Sequence, residues 1–160
     1  MNALVRTGLL FLLAATLAGC SWFEQERLYP QQDRAAYARN TVAETARTQL
    51  GVRYHWGGAS PQDGFDCSGL IYWAFAQHGI ILPRVSWEQY RVGREVYGRD
   101  LRPGDLVFFR IYGNSRSLHV GIMTAPGVFI HSPKAGGVVS ESSLNNPFWK
   151  KHFIGGKRVM

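Results

Sequence analysis

Cysteine is scarce in this 160-residue chain, which carries only Cys20 and Cys67. Acidic residues are also few, 11 against 18 lysines and arginines, so the formal net charge is +7. That excess does not make a nucleic-acid surface. The basic residues are scattered (Arg84, Arg91, Arg94, Arg99, Arg102, Arg110, Arg116, then Lys150, Lys151, Lys157 and Arg158), with no run dense enough to track phosphates. They suit a carboxylate-rich partner or a solvated face. Internal repeats and low-complexity tracts are missing too. The one long apolar stretch, "GLLFLLAATLAGC" at 8–20, is too short to span a bilayer comfortably. What remains is ordinary globular composition, 46% hydrophobic and 18% charged, enough for one domain with a real core and against whole-chain disorder.

Arg6, the apolar middle and the small-residue end of that stretch have the layout of a secretory signal, so export is expected. "LAGC" at 17–20 resembles the bacterial lipobox, which implies cleavage before Cys20 and acylation of its thiol, an anchor worth about 0.8 kcal/mol per buried methylene. Ser21 after it resembles the outer-membrane sorting pattern. The expected organisation is a signal peptide over 1–19, a lipidated Cys20 with a polar tether to residue 33 reaching at most ~45 Å, and one domain over 34–160. Exported domains use cysteines in pairs because their compartment is oxidising. With Cys20 acylated, Cys67 has no intrachain partner. It is then a buried inert residue, an intermolecular bridge or a nucleophile.

Helical spacing at Ala35, Ala38, Val42, Ala46 and Leu50, stopped by Gly51, predicts a helix over Arg34–Leu50. A second is expected from Asp66 to just before Gly79. "SWEQYR" predicts a third, with Ser86 as N-cap and Gln89 completing a capping box. After Gly98 the pattern turns to short runs divided by Gly, Pro and Asn, and predicts strands at 105–110, 118–123, 127–132, 137–142 and 153–159. Helices first and a strand meander after them make an α+β fold, N-terminal helices packed on a C-terminal antiparallel β-sheet.

Asp66 is a good N-cap, which places Cys67 in the first turn of its helix. The helix dipole should lower the thiol pKa there. Cys67 shares a helix face with Leu70, Ile71 and Ala74, so it should look toward the sheet. A thiol nucleophile needs a base, and imidazole is the usual one. If Thr124, Ala125 and Pro126 form a hairpin loop, Met123 pairs with Gly127 and His119 falls directly opposite His131, with Cβ atoms about 4.5–5.5 Å apart. Gly121, on the same face, should let a helix approach, while Leu118, Val120 and Ile122 turn away. The roles are then those of a triad: Cys67 attacks a carbonyl, His119 moves the proton and His131 orients His119. An oxyanion hole would come from the backbone N–H of Cys67 or Ser68, helped by Tyr54 in "VRYHWGG". The same three side chains could bind zinc, but three ligands leave a closed site one short.

"GVRYHWGGASPQDGFDCSGLI", "LPRVSWEQ", "RPGDLVFF", "HVGIM" and "FIHS", in this order, resemble the NlpC/P60 family of bacterial cell-wall cysteine peptidases. The resemblance runs from about Ala38 to Val159 and implies a papain-like fold. It also implies hydrolysis of amide bonds in peptidoglycan stem peptides, either D-glutamyl to diaminopimelate or a diaminopimelate to D-alanine crosslink. It puts the nucleophile on Cys67, the base on His119, the third polar residue on His131 and the oxyanion tyrosine on Tyr54. Asp66, Ser68, Arg84 and Ser86 fall on motif positions near the substrate cleft. Val85 departs from the pattern, where a threonine is common. Arg84 would contact a stem-peptide carboxylate, and Trp56, Trp73 and Trp87 would line the cleft.

No cofactor or metal is implied. The expected partners are peptidoglycan stem peptides and, through the N-terminal lipid, a membrane, with no nucleic acid. The protein is expected to be a monomer in the bacterial envelope, in the outer membrane and facing the periplasm, with an adaptor lipoprotein left open. The competing readings are a papain-like amidase or acyltransferase on another substrate, and a non-catalytic wall-binding lipoprotein.

Overall fold

The computed structural model describes residues 31–111, 118–134 and 136–160. The expected signal peptide, the expected lipidation site Cys20 and the expected tether as far as residue 30 lie outside the described residues. Residues Tyr37–Met160 form one compact unit, and Met1–Ala36 fall in another, of which only the helical residues 31–36 are described.

In chain order the elements are α1 (Gln31–Arg47), β1 (Ala59–Ser60), β2 (Gly64–Phe65), α2 (Cys67–Ala76), α3 (Ser86–Gln89), β3 (Arg94–Val96), a 3-10 turn (Gly98–Asp100), β4 (Leu106–Phe109), β5 (His119–Ala125), β6 (Val128–His131), β7 (Ser140–Ser143), α4 (Pro147–His152) and β8 (Phe153–Arg158). Six strands pair antiparallel in the order β3-β8-β4-β5-β6-β7. The expected α+β architecture is what the chain adopts. α1 begins and ends three residues before its expected bounds. Its C-terminus tightens into i−3 bonds, Gln49 N–H to Ala46 O and Leu50 N–H to Arg47 O, before Gly51.

β4 is buried at all four positions, "LVFF", because both faces of the sheet are covered. On one face Leu106, Phe108, Leu118, Val120, Ile122 and Ile130 pack with Leu70, Ile71, Ala74 and Phe75 of α2 and with Val42 and Ala46 of α1. On the other, Val107, Phe109, Met123 and Phe129 pack with Trp149 of α4 and Phe153. Burying one such side chain contributes about 1.5–3 kcal/mol. The expected aim of β5 is therefore reversed. Leu118, Val120 and Ile122 face the helices, and what lies against Gly121 is no helix but strand β6, where an added Cβ would meet the Phe129 ring at 2.6 Å. The apolar alternation of β5 matches the larger helical surface, which leaves the histidine face to the short helix α4.

Asp105 and Arg158 join β4 to β8 in a buried bidentate ion pair, Oδ1 to Nε and Oδ2 to Nη2 both at 2.7 Å. The "RPGD" segment is thus a structural corner. Its Asp105 Oδ2 also accepts the Arg102 N–H at 2.8 Å.

Candidate active site

Helix α2 starts where the sequence predicts. Asp66 caps it in extended conformation (φ −84°, ψ 175°), its Oδ1 accepting the Gly69 N–H at 2.6 Å. The same carboxylate accepts the Ser68 hydroxyl at 3.1 Å and the Gly57 N–H at 3.0 Å. Arg84 closes a fork on it, Nη1 to Oδ1 at 2.9 Å and Nη2 to Oδ2 at 2.8 Å. Arg84 also donates to Ser68 Oγ at 3.0 Å and to the Gly58 carbonyl at 3.1 Å. One cap residue thus locks helix α2, which carries Cys67, to the glycine loop 57–58 and to the segment after Pro83. Gly69 makes that approach possible, since a Cβ there would lie 2.0 Å from the Gly58 carbonyl oxygen.

Ser86 does not cap α3. Val85 holds the N-cap position with no side-chain cap bond, and Ser86 is the first helical residue. Gln89 makes no capping box. Its buried amide instead donates to the carbonyls of Ser68 (3.0 Å) and Pro83 (2.9 Å), tying α3 to the first turn of α2. The tertiary bonds to Ser68 and Pro83 outcompete the local one.

A cleft of about 660 Å³ is lined by Tyr54, Trp56, Asp66, Cys67, Ser68, Arg84, Ser86 and Trp87 together with Leu118, His119 and Lys134. Trp56 and Trp87 therefore stand in its wall. Trp73 does not: it packs on Phe65, ring centroids 5.6 Å apart, within the helix-side core. Tyr54 is fixed by its backbone, its N–H donating to Gly137 O at 2.8 Å and its main chain making an isolated bridge with Phe65.

His119 and His131 come together, though not directly opposite one another. The observed pairs are Ala125 with Val128, Met123 with Phe129 and Ile122 with Ile130, so the loop is Pro126–Gly127 alone, with Gly127 at φ 73°. Carried one step further, the register sets His131 beside Gly121, and the two histidines are diagonal neighbours, at about 7–8 Å rather than the expected direct spacing. A shift of two residues keeps the face. The ring nitrogens close the gap, His119 Nε2 to His131 Nδ1 at 2.8 Å, and His131 Nε2 meets Ser142 Oγ at 3.0 Å. Trp149 stacks on His119 (5.4 Å between centroids, 25°) and meets His131 edge-on (4.8 Å, 82°). Sequence reasoning missed Ser142 and Trp149. The "NPFW" segment, with Asn146 capping α4 and proline in its first turn, carried a signal for the helix.

Burial dominates the electrostatics. Desolvation, with a smaller contribution from the Asp66 charge, pushes the Cys67 thiol up to about 11, against the backbone N–H groups of Val120, Ser68 and Cys67 itself, which favour the thiolate. The expected lowering by the helix terminus is thus outweighed. Desolvation and then the neighbouring His131 hold His119 down at about 3, and desolvation holds His131 at about 4. Burial thus favours the neutral thiol and the neutral imidazoles. The Val120 N–H at the sulfur places Cys67 at the start of β5, next to His119. With its Nε2 committed to His131, the remaining ring nitrogen of His119 is Nδ1. Among the described residues no group of three or more His, Cys, Asp or Glu side chains is gathered to hold a metal ion.

The NlpC/P60 family model matches residues 51–158, which include the cleft, both histidines and Ser142. The chain is 43% identical over 115 residues to murein DD-endopeptidase MepH of Escherichia coli, covering 70% of this chain and 42% of that protein. It is 38% identical over 120 residues to the bifunctional muramidase/DL-endopeptidase CwlT of Bacillus subtilis, covering 74% and 36%. It thus spans about two fifths of the length of these relatives. Among solved structures, the peptidoglycan hydrolase RipB of Mycobacterium tuberculosis superposes with a TM-score of 0.68 at 30% identity, covering 82% of this chain and 69% of that one. An NlpC/P60 protein of Bacillus cereus gives 0.70 at 36% identity, covering 76% and 40%. The ordered motifs, the papain-like arrangement of helices on a sheet and a family match over more than half its length agree: this chain belongs to the NlpC/P60 family.

Proposed function

We propose that the protein is a peptidoglycan endopeptidase that cleaves amide bonds of wall stem peptides or their crosslinks, with Cys67 as nucleophile, His119 as base and His131 as its orienter. The observation that carries this reading is the chain Ser142–His131–His119, bonded at 3.0 and 2.8 Å and ending at the cleft wall that His119 shares with Cys67. Two relatives named murein DD-endopeptidases are each 43% identical to the chain, against 38% for one named a DL-endopeptidase, which makes a D,D-crosslink the first substrate to test.

In the reaction, Cys67 Sγ attacks the amide carbon while His119 Nδ1 takes the thiol proton. Because the resting pair is neutral, charge separates only as the bond forms, and His131 then stabilises the imidazolium through its 2.8 Å bond. The oxyanion is received by the backbone N–H of Cys67 or Ser68 and by Tyr54. His119 returns the proton to the departing amine as the C–N bond breaks and a thioester forms. Water then attacks the thioester carbon, giving one proton to His119. The C–S bond breaks, and that proton returns to sulfur. Asp66, Ser68, Arg84 and Ser86 shape the wall against which the stem peptide lies. A lipid on Cys20 would hold this cleft at the envelope.

Mass spectrometry of purified crosslinked muropeptides incubated with the protein tests the proposal. Cleavage to uncrosslinked products, abolished by Cys67→Ala, is expected. An unchanged muropeptide profile, or full activity in Cys67→Ala, would sink it.

A further inference from the structure

Among the described residues, two lysine or arginine side chains line the cleft, and they are not equivalent. Both planar ends of Arg84 are spent inside the protein: Nη1 on Asp66 Oδ1 and Ser68 Oγ, Nη2 on Asp66 Oδ2 and the Gly58 carbonyl. Those four bonds use its four terminal N–H groups, and the Asp66 carboxylate offsets its charge at 2.8 Å. An arriving carboxylate would have to displace these bonds and sit beside a like charge. Lys134 differs. It is exposed, lines the same cleft, and its ammonium has no hydrogen bond or ion pair among the described residues.

Its position is nevertheless held. Two residues before it, buried Ser132 donates its hydroxyl to the Phe65 carbonyl at 2.7 Å, next to the cap of α2. The Lys134 carbonyl accepts the Gly137 N–H at 2.9 Å, and the Gly137 carbonyl accepts the Tyr54 N–H at 2.8 Å. Lys134 is therefore tied on one side, through Ser132, to the cap of α2 and on the other, through its own carbonyl and Gly137, to Tyr54. An exposed ammonium on a backbone tied in this way is suited to meet an anion.

We propose that Lys134 is a specificity-determining residue that receives a carboxylate of the bound peptide close to the scissile bond, while Arg84 braces the wall. This rests on the endopeptidase reading above and names the group of the substrate that the cleft selects. The contact forms on binding, when the peptide covers the ammonium and weakens its screening by water.

Steady-state kinetics on one crosslinked muropeptide, with its carboxylates free or amidated, tests this. For Lys134→Gln a rise in KM of roughly tenfold on the free-carboxylate substrate is expected from losing one charged contact, with kcat changed far less. Lys134→Arg should restore KM and Lys134→Glu should raise it further. Amidation should raise KM for the unaltered protein, and Lys134→Gln should add little to that. An unchanged KM in Lys134→Gln, or an equal loss on both substrates, overturns the assignment while leaving the endopeptidase reading intact. If the unaltered protein cleaves neither substrate, that reading falls and the role of Lys134 falls with it.

Discussion

His119 and His131 are joined at 2.8 Å because of a single extra residue in β5. The two-residue turn pairs Ala125 with Val128, and that register alone would set His131 opposite Ile122, on the wrong face. The bulge at Thr124 shifts the pairing to Met123 with Phe129 and brings both histidines back to one side.

Ser142 meets the far nitrogen of His131 at 3.0 Å, so it holds the ring to which His119 is bonded. Ser142→Ala is expected to lower kcat by about tenfold, the worth of one neutral hydrogen bond, with KM and the urea midpoint nearly unchanged. His119→Ala should cost at least about a hundredfold. Equal kcat in Ser142→Ala and the unaltered protein would show that His131 needs no such support.

Trp149 covers both imidazoles, and desolvation is the main cause that holds His119 at about 3. Trp149→Leu should admit water and move that value up toward the ordinary 6.5. The proposed mechanism needs neutral His119, so the acid limb of kcat/KM should shift to higher pH in the variant. A pH profile with an unmoved acid limb would count against this shielding.

The two depressed histidines also set acid stability. Unfolded, each titrates near 6.5; folded, they titrate at about 3 and about 4. The unfolded chain therefore binds more protons below pH 6.5. Stability is fully present above that value and is lost as pH falls toward 4, at about 1.4 kcal/mol per pH unit for each proton taken up. Urea midpoints measured from pH 8 to 4 should fall across this window, and less steeply in His131→Gln.

Arg84 is bidentate to Asp66, with side chains 33% and 13% exposed. Arg84→Gln leaves a mostly buried carboxylate short of its partner and should destabilise the fold by roughly 2 kcal/mol, below the range for fully buried pairs because Arg84 is partly hydrated. Chemical denaturation reads this directly. A midpoint equal to that of the unaltered protein would remove the bracing role.

Much of the fold was legible where a local rule had no competitor. Asp66 followed by apolar helical spacing and Gly79 marked α2, and continuous apolar runs marked β4 and β5. β3, "REV", lies at the sheet edge with two exposed residues and carries no apolar pattern to find. Ser86 had the chemistry of a cap but became the first helical residue. Gln89, its expected capping-box partner, bonds instead to carbonyls 6 and 21 residues away.

By itself the sequence determined where the candidate groups lie: a thiol at a capped helix start, and two histidines at even spacing on neighbouring strands. Tertiary structure decided how they meet. A bulge set their common face, burial beneath α4 and in the sheet holds both imidazoles below their ordinary range, and Asp66 engaged the arginine that the family resemblance offered to substrate. Each of these depends on contacts between residues far apart in the chain, where burial and register outweigh the propensities that a linear pattern records.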